Sequence, residues 1–209
     1  MLRILIADDH TVVRRGLKQI LLDHFGEVFI GEVADAESLI SKVMTETWDV
    51  VISDINMPGR SGLDALKQIR LVYPQLPMLI LSMHPEEHYA IRVLKSGASG
   101  YLSKDSASDE LVNAVQKVLQ GKKYFSAYVI EQLANNIDAD FSKLSYETLS
   151  NREFDVMRLL ASGKSISFIA EKLSLSVTTI STYRTRIMTK TGLQSNSDLT
   201  KYAIENELL

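Results

Sequence analysis

Apolar positions along the first 120 residues alternate between two periods. Short aliphatic runs at Ile4–Ala7, Val50–Ser53, Met78–Leu81 and Tyr101–Leu102 are nearly continuous in hydrophobicity, which suits strands buried on both faces. Between and after them, apolar residues recur at helical spacing: Leu17, Ile20, Leu21 and Phe25, then Leu39, Ile40 and Val43, then Leu66 and Ile69, then Ile91 and Leu94, then Leu111, Ala114, Val115 and Val118. Four such runs alternating with five helical stripes predict a doubly wound parallel α/β sheet, a (βα)5 unit with helices on both faces. After Gly121 the strands stop. Residues 126–136 read as a short helix, and 135–145 as a polar linker without strong periodicity. Ser150 with Glu153 forms a capping box that opens a helix to about Ser162, ended by Gly163, and helices follow near 166–173, 177–190 and 196–206. The pattern divides the chain into an α/β domain over 1–121, a helix and linker over 122–145, and an all-α four-helix domain over 146–209.

Composition narrows the class. The 209 residues are 45% hydrophobic and 23% charged, which is ordinary for a globular protein. With no cysteine, a disulfide scaffold and a thiolate metal site are excluded. The opening MLRILIADDH meets acid too early for a signal-peptide core or a membrane span, so a cytoplasmic protein is expected, with no membrane partner. Net charge is −3, and residues 1–125 carry 14 basic and 16 acidic side chains against 9 and 10 in the remainder. Bulk charge therefore does not announce nucleic-acid binding. A local asymmetry does remain: from Lys172 to Ser197 there are Lys172, Arg184, Arg186 and Lys190 and no acidic residue.

The strand ends carry the chemistry. Open parallel sheets gather ligands at the carboxyl ends of their strands, and here those ends are Asp8–Asp9, Asp54, Ser82 and Ser103–Lys104. Any one of these residues could be a turn or helix cap; all of them at the same end of successive buried strands point to one crevice. Adjacent carboxylates suit a hard divalent cation such as Mg²⁺, held by Asp8, Asp9 and Asp54. A carboxylate oxygen of Asp54 could then attack a phosphoryl group, with Lys104 neutralising another phosphoryl oxygen and Ser82 donating a hydrogen bond. Pro58 and Gly59 form a tight loop that turns the Asn56 backbone carbonyl toward the same crevice. His10, His24, His84 and His88 are scattered without metal-site spacing, so zinc is not expected.

Asp8-Asp9-His10, Asp54-x-x-Met57-Pro58-Gly59, Ser82 and the block Gly100 to Asp105 resemble the receiver domain of bacterial two-component response regulators, a flavodoxin-like fold, over residues 1 to about 120. The resemblance implies that Asp54 accepts a phosphoryl group from a histidine of a sensor histidine kinase. It implies that Asp9 and the Asn56 carbonyl bind Mg²⁺ directly and Asp8 mainly through water. It also implies that Ser82 and Tyr101 form a switch pair, the hydroxyl moving to the phosphoryl while the ring turns inward, and that Asn56 and His84 tune how long the phosphoryl survives. A phosphohydrolase of the D-x-D type is the competing enzyme reading, but position 56 is Asn, which cannot act as its acid/base. Slow self-dephosphorylation is the only turnover expected, and no stand-alone enzyme. A receiver that serves as a non-phosphorylated interaction module is the third alternative.

In the second half, Phe154, Met157, Leu160 and Ala161 form one inner stripe and Ile166, Ile169, Ala170 and Leu173 the next; Ser174-Leu175-Ser176 separates the latter from a third helix, as in a helix-turn-helix. Ile180, Tyr183, Ile187 and Met188 should face inward. The opposite face shows Thr178, Ser181, Thr182, Thr185 and Thr189, flanked by Arg184, Arg186 and Lys190. Short hydroxylated side chains let a helix approach base edges, and the cations attract phosphates. The runs LSNRE, GKSISFIAEKL, SVTTISTYRTRI and KTGL resemble the LuxR-type helix-turn-helix of the NarL/FixJ response-regulator class. The resemblance implies a transcription regulator that binds double-stranded promoter DNA, with base readout by Ser181, Thr182 and Thr185 and phosphate contacts from Lys164, Thr178, Arg184, Arg186 and Lys190. Many relatives have His in place of Tyr183 and a second basic residue in place of Ser181 or Thr185, so the target sequence does not transfer. A homodimer on phosphorylation, meeting half-sites ~34 Å apart, is expected to pair through Leu199, Tyr202 and Ala203. At rest, the receiver is expected to pack against the recognition helix or to prevent that pairing. RNA polymerase is a further candidate partner.

Overall fold

A computed structural model describes residues 1–83, 86–127, 129–131, 145–206 and 208–209. The chain divides into two compact units, Met1–Asn135 and Asn136–Leu209.

In the first unit β1 (Leu2–Ala7), β2 (Val28–Val33), β3 (Val50–Asp54), β4 (Met78–Ser82) and β5 (Gly100–Ser103) form one sheet in the order β2-β1-β3-β4-β5, every pairing parallel. The chain leaves β1 for β2 on one side and crosses back to β3 on the other. That reversal opens a crevice between the carboxyl ends of β1 and β3. β3 and β4 are buried at every position, which is why they read as unbroken apolar runs. β2 is an outer strand with Phe29 39% exposed and with Gly31 and Glu32 in its middle, so its sequence carries no such run.

Helices α1 (Thr11–Phe25) and α5 (Ala107–Leu119) close one face of the sheet over Ile4, Ile6, Val50, Ile52, Leu79, Leu81 and Leu102. α2 (Ala36–Thr45), α3 (Gly62–Val72) and α4 (Glu86–Lys95) follow β2, β3 and β4 on the chain, and the inner positions Leu39, Val43, Leu63, Leu66, Ile69 and Val93 are buried. Two caps are legible locally: Asp35 accepts from Ser38 N, and Ser61 accepts from Asp64 N.

The structure departs from the sequence reading after Gly121. Instead of ending its strand pairing there, the chain lays Lys122–Ser126 along the outer edge of β5. Tyr124 donates its N–H to Ser99 O at 2.9 Å, and its carbonyl accepts from Tyr101 N at 2.9 Å, a parallel bridge opposite Gly100. Lys123 Nζ donates to Ala98 O at 2.6 Å, and Ser126 N donates to Glu86 Oε1 at 3.0 Å. Glycine is required at position 100, because a Cβ there would lie 2.6 Å from the Tyr124 carbonyl oxygen. Residues 127 and 129–131 are helical; the remainder of the predicted 126–136 helix and nearly all of the predicted linker lie outside the described residues.

The second unit begins with a 3-10 turn (Ser145–Thr148) and continues as α6 (Asn151–Ala161), α7 (Ile166–Lys172), α8 (Val177–Thr191) and α9 (Asn196–Glu205). Ser150 and Glu153 make the capping box in full, Ser165 caps α7, and Ser176 caps α8 by accepting from Thr179 N. Gly192 ends α8 in the left-handed conformation, at φ +74°. Phe154, Met157, Leu160, Ile169, Ile180, Ile187, Leu199 and Ala203 form the buried core. This corrects the expected dimer seam. Leu199 and Ala203 are fully buried within their own unit, and Tyr202 accepts from Tyr146 N at 3.3 Å, so the one apolar stripe of α9 is consumed internally. Its outward face carries Ser197, Lys201, Ile204 and Glu205 instead, with Ile204 62% exposed.

Candidate functional site

The crevice at the top of β1 and β3 brings the predicted acids together. Asp8 follows β1 with its side chain fully buried, Asp54 ends β3 at 3% exposure, and Asp9 stands at the rim with its side chain 30% exposed. Lys104, one residue past β5, reaches across β4 to place Nζ 2.6 Å from Asp8 Oδ2 and 2.6 Å from Asp54 Oδ2. The other Asp54 oxygen accepts from Asn56 N at 3.1 Å. Gly62 crosses directly behind this strand end, and a Cβ there would collide with the Asp54 carbonyl oxygen. Ser82 is fully buried at the end of β4, and its carbonyl accepts from Lys104 N at 2.8 Å. Tyr101 is 3% exposed on β5, so its ring is already inward in this structure. His84 lies outside the described residues.

Asp8 and Asp54 share one ammonium with Asp9 beside them, and the titration behaviour follows. Burial pushes the Asp54 carboxyl up to about 6, and the Asp8 charge adds to that, while Lys104 and the Asn56 N–H pull it down. Burial opposes the Lys104 charge, but the Asp54 and Asp8 carboxylates outweigh it and hold the ammonium above its ordinary value. Negative charge is thus left over in a pocket of oxygen donors, and that set fits a small divalent cation.

One participant escaped the sequence reading. His10 joins Asp8, Asp9 and Asp54 in a group whose potential ligand atoms all lie within 4.8 Å of one another. Its Nδ1 is 2.7 Å from Asp9 Oδ1 and 3.2 Å from Asp8 Oδ1, and its N–H donates to Asp8 Oδ1 at 2.8 Å. The contiguity of Asp8-Asp9-His10 was the available signal; spacing between histidine pairs hid it.

The second constellation lies on α8. Thr178, Ser181, Thr182, Thr185, Arg186 and Thr189 are exposed on the face opposite Ile180 and Ile187, while Tyr183 and Met188 are half-buried at its flanks. Ser181, Thr182, Thr185 and Thr189 each donate to the carbonyl four residues back, at 3.0–3.2 Å. These bonds satisfy each hydroxyl proton within the helix, at a slight cost to its stability, and leave the oxygen lone pairs as acceptors on the exposed face. The cations separate. Arg186 is exposed, whereas Arg184 is half-buried with Nε donating to Asn196 Oδ1 at 2.9 Å on α9. Lys190 Nζ is 2.6 Å from Glu153 Oε2, a carboxylate whose side chain is 3% exposed. Burial disfavours that charge, but Lys190 and the Ser150 hydrogen bonds together hold Glu153 below the usual carboxylate range. Lys164, on the loop between α6 and α7, lies over the Phe168 ring, 5.5 Å from its centroid.

Comparison with known proteins supplies the family. Residues 4–116 match the response regulator receiver domain, and residues 147–203 match the bacterial regulatory proteins of the luxR family. The chain is 33% identical to the response regulator UvrY of Escherichia coli (strain K12) over 209 residues, covering all of this chain and 96% of that protein. It is 38% identical to the oxygen regulatory protein NreC of Staphylococcus epidermidis, covering all of this chain and 99% of that protein. A solved complex of the two-component response regulator RcsB with DNA is similar at a TM-score of 0.58 and 30% identity, covering 97% of this chain and 98% of that one. RcsB from Salmonella enterica serovar Typhimurium, bound to promoter P1flhDC in the presence of the phosphomimetic BeF3⁻, is similar at a TM-score of 0.58 and 30% identity over 96% of this chain and 97% of that one. The chain therefore belongs to the NarL/FixJ class of two-component response regulators, a receiver domain joined to a LuxR-type helix-turn-helix, and is a DNA-binding transcription regulator.

Proposed function

We propose that Asp54 is the phosphoacceptor of this regulator and that its occupancy controls DNA binding by α8. The observation that carries this reading is the buried Asp54 carboxylate, held by Lys104 at 2.6 Å beside Asp8 and Asp9. An Asp54 oxygen attacks the phosphorus of a phosphohistidine on a sensor histidine kinase; the P–O bond forms as the P–N bond breaks, and the kinase imidazole keeps the electron pair. Asp8, Asp9, Asp54 and the Asn56 carbonyl would hold Mg²⁺, which would supply charge neutralisation for the transfer. Lys104 neutralises one phosphoryl oxygen, and Ser82 donates to another. Tyr101, already inward, then locks in place behind Ser82 as the other half of the switch. Phosphorylation adds about −1.5 to −2 charge and strong acceptors, so the state in which Ser82 and Lys104 approach the phosphoryl is favoured.

On α8, Ser181, Thr182 and Thr185 read bases, and Lys164, Thr178, Arg184, Arg186 and Lys190 meet phosphates, Lys190 and Arg184 only after leaving Glu153 and Asn196. The solved RcsB complexes with DNA support this use of the helix-turn-helix. The working partition remains a receiver over 1–121, a helix and linker over 122–145 and a DNA-binding domain over 146–209. A second copy pairs through the outward face of α9 when Asp54 is phosphorylated. The setting is cytoplasmic, consistent with the fact that no helix among the described residues is long and apolar enough to cross a membrane. RNA polymerase is the partner through which transcription changes. The chain is not a stand-alone enzyme: position 56 is Asn, which cannot titrate as a phosphatase acid, so turnover is confined to slow self-dephosphorylation.

The test is labelling with a small acyl phosphate and Mg²⁺, followed by capture of genomic DNA. Native protein is expected to gain one phosphoryl group and to enrich specific promoters; Asp54→Asn is expected to do neither. Continued labelling of Asp54→Asn, or equal enrichment by native protein with and without phosphodonor, overturns the reading.

A further inference from the structure

We infer that Arg14 is a positioning residue for the metal pocket, fixing the Asp8–Asp9 peptide so that the two carboxylates converge; this rests on the Mg²⁺ role proposed above. Arg14 is one turn into α1, its side chain 13% exposed, and it touches neither Asp8 nor Asp9 through their carboxylates. Its Nη1 donates to the Asp8 backbone carbonyl at 2.6 Å, and its Nη2 donates to Thr11 Oγ1 at 3.2 Å. Its Nε lies 3.6 Å from Glu32 Oε2 on β2, and the other Glu32 oxygen accepts from Lys18 Nζ at 2.8 Å. The Lys18 hydrogen bond holds Glu32 below the usual carboxylate range, so the anchor stays charged.

The geometry gives this contact a specific effect. Asp8 N donates to Val33 O of β2 at 3.2 Å, and Asp8 O accepts from Arg14, so residue 8 is held at both ends of its main chain. The peptide plane that carries the Asp8 carbonyl also carries the Asp9 N–H and leads to the Asp9 Cα. Fixing one side of that plane fixes where the partly exposed Asp9 carboxylate starts. Without the guanidinium, the β1–α1 loop keeps the Asp8 N bond to Val33 but loses its side-chain tie to Glu32 on β2, and the peptide beyond Asp8 can rotate. A lysine keeps the charge but has no planar fork to span Asp8, Thr11 and Glu32 together. Partners that hold metal ligands from behind are commonly worth 10–100-fold in metal affinity.

The experiment is calorimetric titration of the full chain with MgCl2, paired with the Mg²⁺ dependence of Asp54 labelling, for native protein, Arg14→Ala, Arg14→Lys and Glu32→Gln. We expect about tenfold weaker Mg²⁺ binding for Arg14→Ala, smaller losses for Arg14→Lys and Glu32→Gln, and a labelling rate that recovers at saturating Mg²⁺. A purely structural role would lower the melting temperature without moving the Mg²⁺ half-saturation point, and that result overturns the inference. Should Arg14→Ala fail to fold, an unchanged Mg²⁺ affinity in Glu32→Gln and Arg14→Lys overturns it equally. If native protein itself binds no Mg²⁺, the proposed function fails first; if native protein binds and Arg14→Ala binds equally well, only this inference fails.

Discussion

Asp54 and Glu153 are buried carboxylates with opposite titration behaviour, and the difference says what each is for. Glu153 has a complete set of partners in Ser150 and Lys190, and its pKa is lowered. It therefore contributes stability that is present above its unfolded pKa and lost as the pH falls through the folded one. Asp54 is raised from 3.8 to about 6, so the folded state binds its proton more readily than the unfolded chain does. Stability falls as pH rises across that window, and the full penalty, on the order of 2–3 kcal/mol, persists above it. Asp54→Asn is accordingly expected to be more stable than native protein at pH 7.5 without Mg²⁺, by about 1–3 kcal/mol, and to lose most of that advantage at pH 4. Denaturant unfolding at the two pH values measures this; an equal or lower midpoint for Asp54→Asn at pH 7.5 contradicts it. Nothing in the local sequence reveals this imbalance, because it depends on which strand ends meet.

At the scale of elements, how much of the molecule could be read depended on whether the signal was local. The cap at Ser150 follows from Glu153 three positions on, and the structure makes it in full. β3 and β4 follow from unbroken apolar runs. The Lys122–Ser126 strap was invisible, because Lys-Lys-Tyr-Phe-Ser has neither strand alternation nor a turn signature and its partner is an edge defined only by the whole sheet. The bridge depends on the missing Cβ of Gly100. Gly100→Ala is expected to push the strap off its partner strand and cost about 1–3 kcal/mol, read as a lower melting temperature with faster amide exchange at Tyr101 and Tyr124. Unchanged exchange at both amides refutes the role given to this contact. The α9 stripe failed for a related reason: Leu199 and Ala203 are apolar and periodic whichever surface they meet, and periodicity alone does not say that α6 already covers them.

Across the whole molecule, a net charge of −3 hides two surfaces of opposite character, an acidic pocket in one unit and a hydroxyl-lined helix in the other. The cations of that helix are not equivalent. Arg186 is exposed, whereas Lys190 is paired with Glu153 at 2.6 Å. Each charge that meets a phosphate contributes roughly one unit to the slope of log affinity against log salt. Arg186→Ala should lower that slope by about one, and Lys190→Ala by less, because its charge is partly spent on Glu153. Salt titrations of promoter binding distinguish the two; a larger loss for Lys190→Ala shows that the Glu153 pair opens on DNA. Tyr124 and its neighbours carry a different consequence. The last strand of an open sheet leaves bare amides and carbonyls that can recruit a foreign chain and seed fibrils. Here the polypeptide plugs that vacancy with Lys122–Ser126, so a fragment cut at Leu119 would keep β1–β5 and α1–α5 and still lose its protection against sticking to itself.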